Sequence, residues 1–309
     1  MSYGNSLTIV TDTKHLNKFA TQLEKQPMKA NLPRTKVWRS QYLKSIELIH
    51  GVHQCYSSPR HLHEELELNI KQGDGWQFNY RGAIHNVPPD TLVVTQPGES
   101  HQADSKSERD CTFRGLRVSM DLLQQVATDV AGRDIELPLF PMPIVRDRDF
   151  NSQFIRVHQA IERSTSMLEQ QTLTLDLLAQ LILRYAENPP HLDKLGIEIQ
   201  PVHRVRDYLE EHADREISLE QLSQLANLSP FHLNRSFSKT FGMPPHAYQI
   251  QMRILQAKRL LRKEHSIESV AIKTGFVSQS HFSSHFKRLV CVTPKQYIQD
   301  SKNVISFNV

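Results

Sequence analysis

An internal repeat in the last third of the chain limits its folding choices more than any other feature. Leu222, Asn227 and Leu228 match Val270, Gly275 and Phe276 at a separation of 48 residues, and Leu233, Phe237, Pro245 and Tyr248 match Phe282, Phe286, Pro294 and Tyr297 at 49. In each copy a short amphipathic helix is expected to reach a turn at Asn227 or Gly275, residue types that tolerate a left-handed backbone. Ser229 and Ser278 follow as N-caps for a second helix, and Pro230 takes a first helical position where its missing N–H costs nothing. One helix-turn-helix design therefore occurs twice. Between the copies, Ile250, Ile254, Ala257 and Leu261 recur every three to four residues and predict a single rigid connecting helix.

The faces of the second helices carry a specific chemistry. In the first copy Leu233 and Phe237 form the inner stripe, so about 100° per residue turns Phe231, Arg235 and Ser238 outward, with His232 and Asn234 beside them. Arg can take a guanine edge, Asn an adenine edge, and an exposed Phe can touch thymine methyl groups in a major groove. In the second copy Phe282 and Phe286 point inward, Ser280, Ser284 and Lys287 outward, and Gln279 and His281 stand near the start. That face has no Arg, so the first copy is expected to supply most of the base discrimination. The expected DNA-binding set is Ser229, Phe231, His232, Asn234, Arg235 and Lys239 in the first copy, with Ser278, Gln279, Ser280, His281, Ser284 and Lys287 in the second. Lys239, Lys287 and Arg288 read as phosphate ligands. Charge agrees with this assignment: residues 201–309 hold 15 Lys and Arg against 9 Asp and Glu, while residues 1–200 hold 22 against 24.

The preceding part reads differently. From Val37 to Val118 short two-periodic stretches alternate with Gly, Pro, Asn and Asp clusters, which predicts strands and hairpins. Alternation along HLHEELELNI puts His61, His63, Glu65 and Glu67 on one face and Leu62, Leu66, Leu68 and Ile70 on the other. Residues 150–185 predict two helices with a break around Gln170 to Thr174, and Pro189, Pro190, Gly196 and Pro201 mark a linker. With 39% hydrophobic residues, no apolar run long enough for a bilayer and no secretory start, the chain is expected to be cytoplasmic, without a membrane partner. Cys55, Cys111 and Cys291 are scattered and odd in number, which fits reduced thiols and gives no zinc spacing.

The segment from Val205 to Ile298 resembles the AraC/XylS family of bacterial transcription regulators. The resemblance runs through SLEQLSQLANLSPFHLNRSFSKTFGMPPHAY, the spacing of Arg253, Ala257, Leu260 and Leu261, and SIESVAIKTGFVSQSHFSSHFKRLVCVTPKQY. Ser223 stands where a small Ala is usual, and Cys291 where Gly commonly precedes the Thr-Pro pair. By the family's pattern, Phe231, Asn234, Arg235, Gln279, Ser280 and Ser284 occupy groove positions. The N-terminal half is similar in layout to the cupin-like sensor domains of that family. The implied fold is α+β: an N-terminal cupin-like β-barrel with a helical dimerisation segment over 1–186, a linker over 187–200, an all-α DNA-binding domain with two helix-turn-helix units over 201–300, and a tail over 301–309. The implied function is a DNA-binding regulator controlled by a small-molecule effector, an activator that works as a homodimer with RNA polymerase as a further partner. An effector pocket lined by His61, His63, Glu67, Trp76, Tyr80 and His101 is expected. No catalytic residue, cofactor or metal is expected. The alternative is a cupin-type metalloenzyme fused to a DNA-binding domain, because the spacing of His61, His63, Glu67 and His101 also resembles a metal-binding pattern.

Overall fold

The computed structural model describes residues 34–191 and 199–299, with only the backbone of 34, 54–56 and 106–109; the start of the expected sensor, half of the expected linker, the expected tail and the Cys55 side chain lie outside the described residues. Eight strands form one antiparallel sheet: β1 (Arg34–Arg39), β2 (Ile46–Ser57), β3 (Leu66–Gln72), β4 (Trp76–Tyr80), β5 (Ala83–Val87), β6 (Thr91–Thr95), β7 (His101–Val118) and β8 (Ile144–Val145). Their order is β1-β2-β7-β3-β6-β8, with the β4-β5 hairpin attached to β7. Strand β7, 18 residues long, pairs with β2, β3 and β4, and this triple pairing folds the sheet into a pocket. Leu66, Leu68 and Ile70 join the core under the helices, whereas Glu67 and Asn69 line the interior. Both faces of β3 are therefore buried, which the two-periodic sequence did not reveal. His61 and His63 precede β3 instead of lying in it, and Leu62 is exposed. The expected strand face thus begins only at Leu66, because His61 is drawn across to an isolated bridge with His101.

Helix α1 (Met120–Ala131) follows the sheet, capped by Ser119 and ended by left-handed Gly132. Helices α2 (Arg148–Arg163) and α3 (Met167–Tyr185) are divided at residues 164–166, not around Gln170 to Thr174. Ser166 accepts from the Glu169 N–H, and Ser164 donates to the Glu169 carboxylate at 2.5 Å. These side chains compete locally with the helical ladder and set the break. Buried His158 ties α2 to the sheet: Nε2–H donates to the carbonyls of Ile49 and Gly115 at 3.0 and 3.1 Å, leaving Nδ1 to accept from Arg114. Burial, followed by the nearby Arg114 charge, pushes its pKa down to about 4.

The C-terminal part is helical: α4 (Ile199–Glu211), α5 (Leu219–Ala226), α6 (Pro230–Phe241), α7 (Pro245–Arg262), α8 (Ile267–Lys273) and α9 (Gln279–Val290). The connecting rod is α7, 18 residues and therefore about 27 Å long. From its buried face Arg253 donates to the Ala213 and Arg215 carbonyls at 2.6 and 2.9 Å, and Gln249 supports the same loop. An Arg suits this place, because the N–H donors of one planar fork can satisfy two carbonyls of the same loop. Burial lowers its pKa to about 10, still far above neutrality.

The helices expected to pair two subunits are used inside their own chain. Helix α3 packs against α1, α2, α5, α6 and α7. None of the exposed large apolar side chains among the described residues lies on α2 or α3. One buried cluster runs from the sheet through α1 to α3 into Leu219, Leu222, Phe231, Leu233 and Phe237 of the first helix-turn-helix unit. The second unit has a separate core of Ile250, Ile254, Phe276, Phe282 and Phe286.

Candidate nucleic-acid interface and effector pocket

Each unit is built as its sequence dictates. In the first, a capping box joins Ser218 and Gln221 at the start of α5, Asn227 takes the left-handed turn at φ 53°, and Ser229 caps α6 by accepting from the His232 N–H. In the second, Ser266 caps α8, Gly275 turns at φ 77°, and Ser278 caps α9 through the His281 N–H. Arg235, Lys239, Gln279, Ser280, Ser284, Lys287 and Arg288 are exposed. Ser278 is exposed as well, while Ser229 and His232 are half-buried.

Two expected groove residues are not outward. Phe231 is 6% exposed and Asn234 9%. Helix α6 packs against α1 and α3 of the N-terminal part, which supply a second partner that helical-face geometry could not foresee. The Asp129 carboxylate of α1 accepts the Phe231 N–H at 2.8 Å, and the Gln171 side-chain carbonyl of α3 accepts the Leu219 N–H at 2.8 Å. Side chains of the sensor thus occupy donors at the starts of both α5 and α6, positions that favour anionic and carbonyl oxygens. The Asn234 Oδ1 is buried without a partner.

His281 is half-buried in the second unit. The Arg288 guanidinium donates to His285 Nδ1 at 2.9 Å, so His285 Nε2–H donates to His281 Nε2 at 2.9 Å. Burial, with His281 and Arg288 adding to it, pushes His285 down to about 3; burial and Arg288 push His246 down to about 4. His285 and His246 were not anticipated, and nothing in their spacing marks them.

The interior of the sheet holds a cavity of about 190 Å³ lined by His61, Glu67, Trp76 and His101 from the expected set, together with Asn69, Phe78 and Arg117. His63 lies against it through a 2.9 Å hydrogen bond to Glu67. Tyr80 is not part of the lining: its hydroxyl accepts the Gln96 N–H, its ring stacks on Phe78, and burial pushes its pKa up to about 12. Cross-strand register sets Arg117 opposite Glu67 and Gly115 opposite Asn69. A Cβ on Gly115 would come within 2.6 Å of Asn69 Oδ1, so only glycine leaves that amide room.

Arg117 Nε donates to Glu67 at 3.0 Å and Nη1 to Glu47 at 3.1 Å. Burial alone would raise the pKa of Glu67, but the nearby His101 imidazole at 3.6 Å, the hydrogen bond from His63 and the Arg117 charge outweigh it and hold the carboxyl well below its ordinary value. Burial would lower His63, and the Glu67 hydrogen bond and charge reverse that shift. Ligating atoms of His63, Glu67 and His101 lie within 4.8 Å of one another, a spacing that could hold a metal ion, although none was expected. Two residues of the lining carry buried polar atoms without partners, the Asn69 Oδ1 acceptor and the Trp76 Nε1 donor. Asn69 follows from the i, i+2 alternation with Glu67; Arg117 comes from another strand and required the register.

Paired, N-capped helix-turn-helix units behind a strand-built pocket define a DNA-binding protein with a ligand-binding sensor. A helix-turn-helix domain model matches residues 222–300, and an AraC-like ligand binding domain model matches residues 43–184. The chain belongs to the AraC/XylS family of transcription regulators. It is 29% identical over 223 residues to the HTH-type transcriptional regulator YbfI of Bacillus subtilis, covering 72% of this chain and 80% of that one. An HTH-type transcriptional regulator of Staphylococcus aureus is 30% identical over 154 residues, half of this chain but only 20% of the longer protein. The DNA-binding domain of AdpA, solved in complex with a target DNA, is 30% identical over 33% of this chain and 94% of its own, with a TM-score of 0.32. Among the described residues no helix is long and apolar enough to cross a membrane.

Proposed function

We propose that this regulator reads a specific DNA sequence and that a small polar molecule in the sheet cavity sets how well it does so. The observation that carries the reading is the joint between the parts: sensor side chains from α1 and α3 hold both helices of the unit whose face suits base edges. Contact of Phe231 and Asn234 with bases then requires that joint to open, whereas Arg235, Gln279, Ser280 and Ser284 already stand outward. Lys239, Lys287 and Arg288 supply phosphate contacts.

The cavity suits a compact metabolite with both a donor and an acceptor, to meet Asn69 and Trp76, and a charge-bearing group beside Glu67 and Arg117. Contact with RNA polymerase belongs to the same reading. Pairing of two copies would use a surface other than the packed faces of α2 and α3.

Binding-site selection with the full chain tests the DNA half. Arg235→Ala is expected to cost about 1–3 kcal/mol and relax the preference at one base pair; uniform weakening across all sequences would count against base readout. A thermal-shift screen tests the effector half, since a ligand at about 100 times its dissociation constant adds roughly 2.7 kcal/mol, and Trp76→Phe should reduce that gain. A second reading, a cation-dependent sensor or metalloenzyme, is favoured by the proximity of His63, Glu67 and His101. Metal analysis of the purified protein, followed by a chelator test of DNA binding, separates the two.

A further inference from the structure

A larger cavity, about 670 Å³, lies outside the sheet, where α1 and α3 of the sensor meet α5 and the turn into α6. Leu122, Leu175, Leu219 and Leu228 give it apolar walls. Its charged residues are Asp129 and Glu220, and no Lys, Arg or His lines it. Two of its oxygens are buried without a partner: Asp129 Oδ1 and the Oγ1 of Thr174, a residue 2% exposed. The other Asp129 oxygen is already engaged by the Phe231 N–H.

A buried carboxylate oxygen without a donor is costly, and in an apolar-walled space the group that relieves it best is a cation with its own N–H donors. We propose that this cleft binds a cationic amine with an apolar body, its ammonium donating to Asp129 Oδ1 and Thr174 Oγ1 and its body lying against the leucine walls. The site is distinct from the sheet cavity, which lies on the far side of the Leu66, Leu68 and Ile70 layer. An amine seated there touches the sensor and the first helix-turn-helix unit at once, so it stabilises the arrangement in which α6 is covered. By linkage, DNA that draws α6 away must lower the affinity for the amine by the same factor that the amine lowers affinity for DNA. This last step rests on α6 being a DNA-reading helix.

Tryptamine and its uncharged analogue tryptophol, titrated calorimetrically into the full chain, test the site. Saturable binding of tryptamine but not of tryptophol is expected, as is a loss of at least about tenfold in Asp129→Asn, which keeps an acceptor for Phe231 but removes the charge. Thr174→Val should weaken binding by a smaller factor, and unchanged melting of both variants without ligand shows that they fold. Equal binding of the two compounds, no binding of tryptamine at millimolar concentration, or full binding by a folded Asp129→Asn variant overturns the proposal. A DNA fragment carrying a selected site is expected to weaken tryptamine binding. If the amine binds through Asp129 and DNA leaves it unchanged, the site stands and the assignment of α6 as a reading helix fails.

Discussion

The two helix-turn-helix units share a plan and differ in what their cores are joined to. The first continues the hydrophobic core of the sensor, with Phe231 inside that cluster and sensor oxygens at the starts of α5 and α6. The second keeps its own core around Phe276, Phe282 and Phe286, and Gln279, Ser280 and Ser284 remain open. A cleft of about 730 Å³ separates α2 and α3 from its His281, His285 and Arg288. The contrast teaches that a repeated fold need not have repeated surroundings: one unit is tied to the sensor, and the other keeps the start of its second helix exposed.

The turn between the helices gives the sharpest way to break the symmetry. Gly275 lies at φ 77°, and a Cβ there would meet the Asp214 carbonyl oxygen at 2.2 Å, in the loop that Arg253 holds. Gly275→Ala should therefore cost about 4 kcal/mol, because the backbone itself must move. Asn227→Ala, at the equivalent place in the first unit, should cost only about 1 kcal/mol for its left-handed backbone. Urea unfolding of both variants checks this, and equal losses would show that the two turns are interchangeable.

Acid should separate the units next. His246 and His285, pushed down to about 4 and about 3, stay neutral in the native protein while the unfolded chain takes up protons below its ordinary value of 6.5. The folded pKa values are depressed, so the stability is complete above pH 6.5 and is lost as pH falls toward 4. The expected loss by pH 4 is about 3 kcal/mol for each of the two histidines. His285→Gln should flatten the pH dependence of hydrogen exchange in α9, and the sensor's own share, set by His158, should persist. An unchanged slope at α9 would remove the histidine cluster as its cause.

The smallest effect concerns the ends of the second helices. Gly242 closes α6 at φ 75° and Cys291 closes α9 at φ 67°. Cys291 stands where Gly is common in the family and still takes the left-handed turn, at the cost of a strained non-glycine residue. Cys291→Gly should stabilise the chain by about 1 kcal/mol, read as a rise in melting temperature, and Gly242→Ala should do the reverse by a similar amount.

Local rules made much of this molecule legible before any fold was known. Ser229, Ser278, Asn227 and Gly275 act on their immediate backbone, so their roles as caps and turns could be read directly. Glu67 and the histidines around it were visible as a polar pattern. Arg117 and Asp129 were not, because each acts on residues 50 and 102 positions away in sequence. The break between α2 and α3 was misplaced because a mixed polar stretch at Gln170 to Thr174 resembles a loop, although Gln170, Thr172 and Thr174 are buried within α3.

Sequence by itself determined the repeated helical units, their capped ends, the connecting rod and the faces that a free module would present. Tertiary structure alone decided which of those faces meets solvent. Helical periodicity says which side chains point the same way, but burial depends on what a distant part of the chain brings against them, and here α1 and α3 bring a hydrophobic core and two hydrogen-bond acceptors to the first unit and leave the second one open.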